Sequence, residues 1–178
     1  PLLEHVYRRA LASGALEVIV ATDDQRIREV AERFGATVCM TSSEHPSGTD
    51  RLAEVALQCG WPDDAIVVNV QGDEPQMPPA LIRQVAAELE EHPAAGIATA
   101  CVRIRRTEEV FDPNVVKVVR DRKGFALYFS RAPIPWQREM FRVGAGQSTE
   151  LPADIAWFRH VGLYAYRVAV LRDFPRLA

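Results

Sequence analysis

Apolar residues in the first half of the chain follow two alternating spacings. Over residues 2–12 they recur at helical intervals, and Gly14 stands where a helix C-cap is expected. Residues 18–22 form a short continuous apolar run, which is typical of a strand buried on both faces. The predicted strands of this half are 18–22, 37–40 and 65–70, and the predicted helices are 2–12, the stretch between Asp24 and Gly35, 49–59, and the stretch from Pro78 or Pro79 to Leu89.

This alternation of helices and strands predicts crossover units and a mostly parallel sheet covered on both faces. Ligands of such sheets bind beyond the carboxyl ends of the strands. We therefore expect the loops that follow Thr22, Met40 and Val70 to line one crevice. A domain of this kind usually opens with a strand, whereas this sequence opens on a helix at Pro1, so we expect a leading strand and loop to precede it.

The second half of the chain has a different pattern of apolar residues. Apolar and polar residues alternate loosely over 97–104, and the predicted strands 115–119 and 125–129 flank a good hairpin turn at 121–124. Prolines and glycines make 131–154 irregular. The last predicted elements are a strand over 158–166 and a helix beginning near 167. The expected fold is α/β: a doubly wound, mostly parallel sheet with an added β-hairpin region, in a single domain over 1–178.

Composition and charge exclude several classes of protein. The 178 residues are 48% hydrophobic and 25% charged, as in globular chains, and no apolar run reaches the roughly 18 residues of a membrane span. The formal charge of −3 argues against a non-specific nucleic-acid binder but allows an anionic small substrate. Cys39, Cys59 and Cys101 are widely spaced, so we expect small apolar residues in strands or helices rather than disulfides, which fits a reducing cytosol.

The first candidate for chemistry is Asp73, which follows Gln71 and Gly72 at the carboxyl end of the most strongly β-forming strand. A carboxylate is a hard oxygen ligand, and at a crevice it suits Mg²⁺ beside phosphates. Gly72 would allow close backbone approach. The alternative is a polar strand-to-helix turn in which Asp73 and Glu74 only cap the next helix.

A second candidate is the stretch from Ser47 to Arg51, where hydroxyl groups and the flexible Gly48 open a helix. Such a segment suits an anion or the edge of a base, and Arg51 offers a planar fork of donors. The alternative is an ordinary helix N-cap made by Ser47 or Thr49, with a surface arginine.

Two further candidates lie in the second half. Arg131 ends a predicted strand just before two prolines, so it is a candidate ligand for a carboxylate, or else a solvated residue at the hairpin edge. His160, Gly162 and Tyr164 share one face of the last predicted strand, which suits a hydroxyl-rich ligand. A lone histidine is also a common core or surface residue. No nucleophile and base stand out as a pair, so covalent catalysis is not predicted.

These stretches together resemble the 3-deoxy-manno-octulosonate cytidylyltransferase family, the CMP-KDO synthetases. The resemblance runs from Pro1 to about Phe174. The segments that carry it, in chain order, are 47–54, 68–75, 114–119, 128–136 and 159–166. It implies a nucleotidyltransferase fold and an enzyme that converts CTP and KDO to CMP-KDO and pyrophosphate with Mg²⁺. It also implies a cytoplasmic homodimer whose product enters lipopolysaccharide biosynthesis.

The resemblance further implies roles for individual residues. Asp73 is implied as the catalytic carboxylate that binds the metal ion. The residues implied to contact the nucleotide are Ser47, Gly48, Arg51 and Gln71. The residues implied to hold KDO are Arg131, His160 and Tyr164, with Arg131 matched to the carboxylate of the sugar. We expect residues 115–157, the hairpin and irregular region, to form the dimer contact.

The family also has parts that this sequence does not match. A basic, glycine-containing loop that grips the triphosphate would precede Pro1, and a second metal-binding aspartate and part of the sugar pocket would follow Ala178. We therefore expect that residues 1–178 alone do not turn over CTP. Two alternatives stay open, a cytidylyltransferase for another acidic sugar such as a sialic acid, and an inactive nucleotide-binding module.

Overall fold

A computed structural model describes residues 1–141, 151–152 and 154–176. The chain forms two compact units, one of Pro1–Thr99 with Leu163–Ala178 and one of Ala100–Gly162, hereafter the first and second unit. The expected hairpin region at 115–157 belongs to the second unit, with 142–150 and 153 outside the described residues. The prediction of a single domain over 1–178 stays a prediction.

The helices and strands follow the predicted order closely. The helices are α1 (Leu2–Ala12), α2 (Gln25–Arg33), α3 (Gly48–Gln58), α4 (Pro79–Glu91), α5 (Thr107–Phe111) and α6 (Val168–Asp173), followed by a 3₁₀ turn at Phe174–Arg176. The strands are β1 (Ile19–Thr22), β2 (Thr37–Met40), β3 (Ile66–Asn69), β4 (Ile97–Arg103), β5 (Lys117–Arg120), β6 (Ala126–Ser130) and β7 (Phe158–Arg167). The short helix α5 was not predicted. No helix in the described part of the chain has the length and apolar character needed to cross a membrane.

Strand pairing in the first unit is both parallel and antiparallel. β1 and β2 are parallel and in register from Ile19 opposite Thr37 to Thr22 opposite Met40, so their carboxyl ends lie side by side. β3 pairs antiparallel with the C-terminal part of β7, with Asn69 opposite Tyr164. β1 and β3 belong to separate sheets. Local spacing could not predict the β3–β7 pair because its partners are about a hundred residues apart in sequence.

Capping explains where the helices of this unit begin and end. The Asp24 carboxylate accepts a hydrogen bond from the backbone N–H of Arg26 at 2.8 Å and caps α2, as predicted. Gly35 has φ +81°, a conformation that favours glycine, and follows the end of the same helix. Ala31 is fully buried on the inner face of α2, whereas Ile27 of the same helix is 42% exposed.

Packing of α3 against α6 forms one core of the first unit. Ala56 of α3 contacts the buried side chains of Tyr166, Val168 and Leu171. A smaller core packs Val20 of β1 and Ala31 of α2 with Leu3 and Tyr7 of α1. These cores fix the ends of β1, β2 and β3, from which the polar loops start.

The second unit contains the predicted hairpin. β5 and β6 are antiparallel, and the backbone N–H of Asp121 donates to the carbonyl of Phe125 at 2.8 Å across the turn. Gly124 closes the turn with φ +95°. β5 also pairs with the N-terminal part of β7. A core around the fully buried Trp157 packs Ile104, Val110 and Phe141.

The three cysteines are all free. Cys39 lies buried in β2, where its thiol donates to Gln58, and Cys101 lies exposed in β4. Cys59 is the exposed C-cap of α3 rather than an interior helical residue. The interpretation as apolar positions therefore fits Cys39 alone, because the other two side chains reach solvent.

Candidate active site

A cleft of about 1530 Å³ opens in the first unit along β1 and β3. Apolar residues of α1, β1, β3 and α4 line most of it. Residues at the start of α3 and in the loop after β3 also line it, namely Gly48, Arg51, Gln71, Gly72 and Asp73. Four of the predicted site residues therefore line one cleft, whereas no described residue of the loops after Thr22 and Met40 does so.

Asp73 lies in the β3–α4 loop, residues 70–78, and its side chain is exposed. In this loop the backbone N–H of Glu74 donates to the carbonyl of Gln71 at 3.2 Å, and the resulting turn shapes the loop. Among the described residues, no side chain forms a hydrogen bond or ion pair with the Asp73 carboxylate. α4 begins six residues later at Pro79, with Pro78 as its N-cap, so Asp73 does not cap that helix. The carboxylate is thus available at the cleft.

Ser47 has the structural role that the alternative interpretation gave it. It is the N-cap of α3, and its hydroxyl accepts a hydrogen bond from the backbone N–H of Asp50 at 3.3 Å and donates one to the Asp50 carboxylate at 2.5 Å. Ser47 is not among the residues that line the cleft, whereas the next residue, Gly48, is. Capping by Ser47 therefore fixes the point at which the α3 backbone meets the cleft.

Arg51 is held from two sides rather than solvated. Its guanidinium donates to the Thr41 hydroxyl at 2.6 Å and lies 3.3 Å from the Asp23 carboxylate, and only 23% of its side chain is exposed. The Arg51 hydrogen bond lowers the pKa of Asp23 from its ordinary value. Asp23 follows β1, so this contact ties the loop after β1 to the cleft. The sequence placed Asp23 at a strand end but gave it no role.

Glu54 fixes the β2–α3 loop, residues 41–47, although the sequence analysis gave it no role. Its carboxylate accepts hydrogen bonds from the backbone N–H of Ser42 at 2.9 Å and from the Gln58 amide at 2.8 Å, and it contacts the ring of His45 closely. The hydrogen bond from His45 is the main cause of the lowered pKa of Glu54. Arg51, Glu54 and Gln58 are spaced so that they form a polar stripe along α3. This stripe is the sequence signal that could have identified Glu54.

Tyr164 lies on β7 directly opposite Asn69, two residues before Gln71. Its ring stacks on that of Tyr166 with centroids 6.0 Å apart, and burial raises the pKa of its hydroxyl. Leu163 and Ala165 are fully buried on the opposite face of the strand, which confirms the predicted alternation. Tyr164 does not line the cleft itself.

The other two predicted sugar contacts lie in the second unit. Arg131 is exposed, and its guanidinium donates to the carbonyl of Pro113 at 2.8 Å, so it is oriented rather than freely solvated. The half-buried His160 ring packs edge-on against Phe129 with centroids 5.1 Å apart, and burial lowers its pKa. The convergence of these two residues with those of the first unit stays a prediction.

The predicted metal ligand at the cleft is the single carboxylate of Asp73. No group of three or more His, Cys, Asp or Glu side chains arranged to hold a metal ion occurs among the described residues. Mg²⁺ commonly binds through one or two carboxylates, with water and substrate phosphates as its other ligands. The exposed and unpaired Asp73 fits that mode of binding and does not fit a site built wholly from protein side chains.

Comparisons with known proteins show what this chain is similar to. The family described as cytidylyltransferase matches residues 1–177. A 3-deoxy-manno-octulosonate cytidylyltransferase of Nitrosococcus oceani is 56% identical over 99% of this chain and 68% of its own length. One of Thioalkalivibrio sulfidiphilus is 54% identical over 100% of this chain and 69% of its own length. A solved CMP:2-keto-3-deoxy-manno-octonic acid synthetase complexed with CTP is 39% identical, with a TM-score of 0.86 over 100% of this chain and 68% of that chain.

Proposed function

Because the chain belongs to the 3-deoxy-manno-octulosonate cytidylyltransferase family, we propose that it couples CTP and KDO to give CMP-KDO and pyrophosphate. A hydroxyl oxygen of KDO forms a bond to the α-phosphorus of CTP. The bond from that phosphorus to the oxygen bridging the α- and β-phosphates breaks, and the hydroxyl loses its proton. The solved relative that carries CTP, with the same fold over this whole chain, supports CTP as the nucleotide.

The observation that carries this proposal is the position of Asp73. The residue is exposed and lines the same cleft as Arg51 and Gln71, two of the proposed nucleotide contacts. We assign Asp73 to hold Mg²⁺. When bound, Mg²⁺ neutralises charge on the triphosphate and polarises the α-phosphoryl group. An aspartate tied up in an ion pair would be poorly suited to this role.

The remaining nucleotide contacts follow from the two loops. Gly48 presents a backbone without a side chain at the cleft, which gives the cytosine ring room to approach. Asp23 and Thr41 orient the Arg51 guanidinium, and its other N–H groups stay available to acceptor atoms of the base. Ser47 supports both by capping α3, and we assign the exposed Gln71 amide to contact nucleotide and sugar.

We assign KDO to Arg131, His160 and Tyr164. A guanidinium recognises a carboxylate through paired hydrogen bonds, which suits Arg131. Because burial lowers the pKa of His160, its ring is neutral at neutral pH and recognises sugar hydroxyl groups by hydrogen bonding rather than by charge. The Tyr164 hydroxyl keeps its proton for the same reason, since burial raises its pKa.

We propose that the protein is a homodimer that works in the cytoplasm and supplies lipopolysaccharide biosynthesis. β6 is the end strand of its sheet, and Leu127, Tyr128 and Phe129 on it are exposed. Exposed apolar edge strands are commonly covered by a partner. The free cysteines are as expected in a reducing compartment. In sedimentation, Leu127→Glu should give monomers, whereas the equally exposed Leu57→Glu of α3 should stay dimeric.

The function is tested by a substrate comparison with the protein expressed from its complete gene. Pyrophosphate release is measured with CTP and Mg²⁺ and with KDO or N-acetylneuraminate as acceptor. We expect kcat/KM to favour KDO by at least about a hundredfold, because a polar sugar site that loses its partners discriminates strongly. Preference for the sialic acid would assign another acidic sugar, and CTP binding without turnover would indicate an inactive nucleotide-binding module.

A further inference from the structure

Lys117 is a charged side chain in the interior of the second unit. It is the first residue of β5 and is fully buried. Burying an ammonium group is unfavourable unless its hydrogens are all bonded. The Lys117 ammonium meets this condition by donating to the carbonyls of Asp112 at 2.9 Å, Val115 at 2.7 Å and Arg131 at 2.5 Å. These three bonds use the full donor capacity of the group.

The three carbonyls belong to two separate segments. Asp112 and Val115 enclose a turn, residues 112–115, in which the Asp112 carboxylate accepts from the backbone N–H of Asn114 at 2.8 Å and from its side-chain amide at 3.0 Å. The third carbonyl is that of Arg131, just after β6 ends. The Arg131 guanidinium in turn donates to the carbonyl of Pro113, inside the turn. Lys117 therefore fixes both the backbone of Arg131 and the turn that holds its side chain.

Holding the hairpin together does not require these bonds. The β5–β6 ladder already runs from Lys117 opposite Ser130 to Arg120 opposite Ala126 through backbone pairing. All three carbonyls bonded by the ammonium lie outside that ladder. An apolar side chain of the same length would fill the space without burying a charge. The contribution specific to a lysine here is the fixed relation between the turn and Arg131.

We propose that Lys117 is a positioning residue for KDO, which sets the orientation of the Arg131 guanidinium toward the sugar carboxylate. This inference rests on the proposed function, in which Arg131 binds that carboxylate. The ammonium acts through the backbone of Arg131 and the 112–115 turn and does not itself contact the sugar. Without it the turn and the strand end separate, and the guanidinium no longer meets the carboxylate in one fixed geometry.

Steady-state kinetics of Lys117→Met, in the protein from the complete gene, test this role. The methionine keeps the length of the side chain and removes all three donors. We expect the KM for KDO to rise about tenfold while the KM for CTP stays within about twofold. Val118→Ala is the matched control, because Val118 is the next residue of β5 and is buried at 5% exposure. It should lower the melting temperature without changing either KM.

A double variant separates positioning from general damage. If Lys117 acts through Arg131, adding Lys117→Met to Arg131→Ala should raise the KM for KDO no further than Arg131→Ala does alone. Additive effects, or an unchanged KM for KDO in Lys117→Met, would overturn the inference. If Arg131→Ala itself leaves that KM unchanged, the sugar assignment of the proposed function is wrong instead.

A conservative variant covers the case in which Lys117→Met does not fold. Lys117→Arg keeps the charge, but its planar group cannot direct hydrogen bonds to the same three carbonyls. We expect a rise in the KM for KDO of about threefold, smaller than that for methionine, with the KM for CTP unchanged. Wild-type values for both substrates in a folded Lys117→Arg enzyme would contradict the positioning role.

Discussion

The β2–α3 loop leads into Gly48 of α3 at the cleft, and the β3–α4 loop lines the cleft with Asp73, but only the first loop is held by side chains of α3. Glu54 binds the β2–α3 loop at Ser42 and His45, and Arg51 binds Thr41 at its start. In the β3–α4 loop the Asp73 carboxylate has no such partner among the described residues. One loop is shaped before any ligand arrives, and the other presents a charge that a ligand can use.

This difference matches the two kinds of ligand that we assign to the loops. An uncharged base is recognised by donors and acceptors in fixed positions, so a pre-organised loop benefits its binding. A divalent cation selects hard oxygen atoms and keeps several waters, so it needs a free carboxylate more than a rigid loop. An exposed carboxylate stays hydrated, and leaving Asp73 unpaired therefore costs little stability.

The largest effect is expected at the free carboxylate. Asp73→Asn keeps the size of the side chain and removes its charge. We expect kcat for CTP and KDO to fall by about 10³-fold, because bound metal contributes several kcal/mol of charge stabilisation in the transition state. Glu74→Gln is the matched control, since Glu74 is exposed beside Asp73 but does not line the cleft. Equal losses in the two variants would remove the distinction between these carboxylates.

A smaller effect is expected at Glu54, which holds the β2–α3 loop in place. Glu54→Gln weakens the bond to Ser42 and the contact with His45 without changing the shape of the side chain. We expect the KM for CTP to rise about tenfold with kcat nearly unchanged, because the loop is less often in its binding geometry. Glu32→Gln, which breaks an exposed pair with Arg28, should change neither constant. A large fall in kcat for Glu54→Gln would give this residue a different role.

The cap at the end of the same loop is expected to contribute modestly to stability. Ser47→Ala removes the hydroxyl that accepts from Asp50, and losing such a cap costs about 1 kcal/mol of unfolding free energy. Thermal denaturation should show a melting temperature lower by about 2–4 °C. Ser47→Thr retains a hydroxyl and should recover most of the loss. If stability falls but the KM for CTP does not change, Ser47 acts only as a cap.

The smallest effect is a dependence of stability on pH. Because the His45 hydrogen bond lowers the pKa of Glu54 in the folded protein, the unfolded chain takes up this proton first as the pH falls. The stabilising contribution is fully present above the ordinary pKa of about 4.5 and is lost below it. Chemical denaturation should therefore show a weaker decline of stability in Glu54→Gln than in wild type at acid pH. Equal declines of stability in the variant and in wild type would contradict a stabilising contact between Glu54 and His45.

Much of the fold could be predicted because its local signals are strong. The strand at 37–40 and the helix at 2–12 match β2 and α1, and the turn at 121–124 forms as its residues indicated. The five-residue helix α5 was missed because so short a segment gives no periodicity to detect. The antiparallel partner of β3 was missed because pairing across the chain has no local signature.

The candidate site was predictable in its loops but not in its supports. Asp73 and Arg51 stand out because polar residues follow predicted strands, and both line the cleft. The partner of Arg51, Asp23, comes from another loop, and only the folded chain brings the two together. The burial of Lys117 could not be predicted, because a lysine between valines is typical of an exposed position in a strand. In the folded protein its three carbonyl partners make burial favourable.

The central claim is that Asp73 binds the divalent cation beside the nucleotide. The most direct measurement is a titration with Mn²⁺, followed by electron paramagnetic resonance, of the protein from the complete gene bound to a non-hydrolysable CTP analogue. Wild type and Glu74→Gln should bind Mn²⁺ equally, and Asp73→Asn should bind it at least about tenfold more weakly. Unchanged binding by Asp73→Asn would contradict the account.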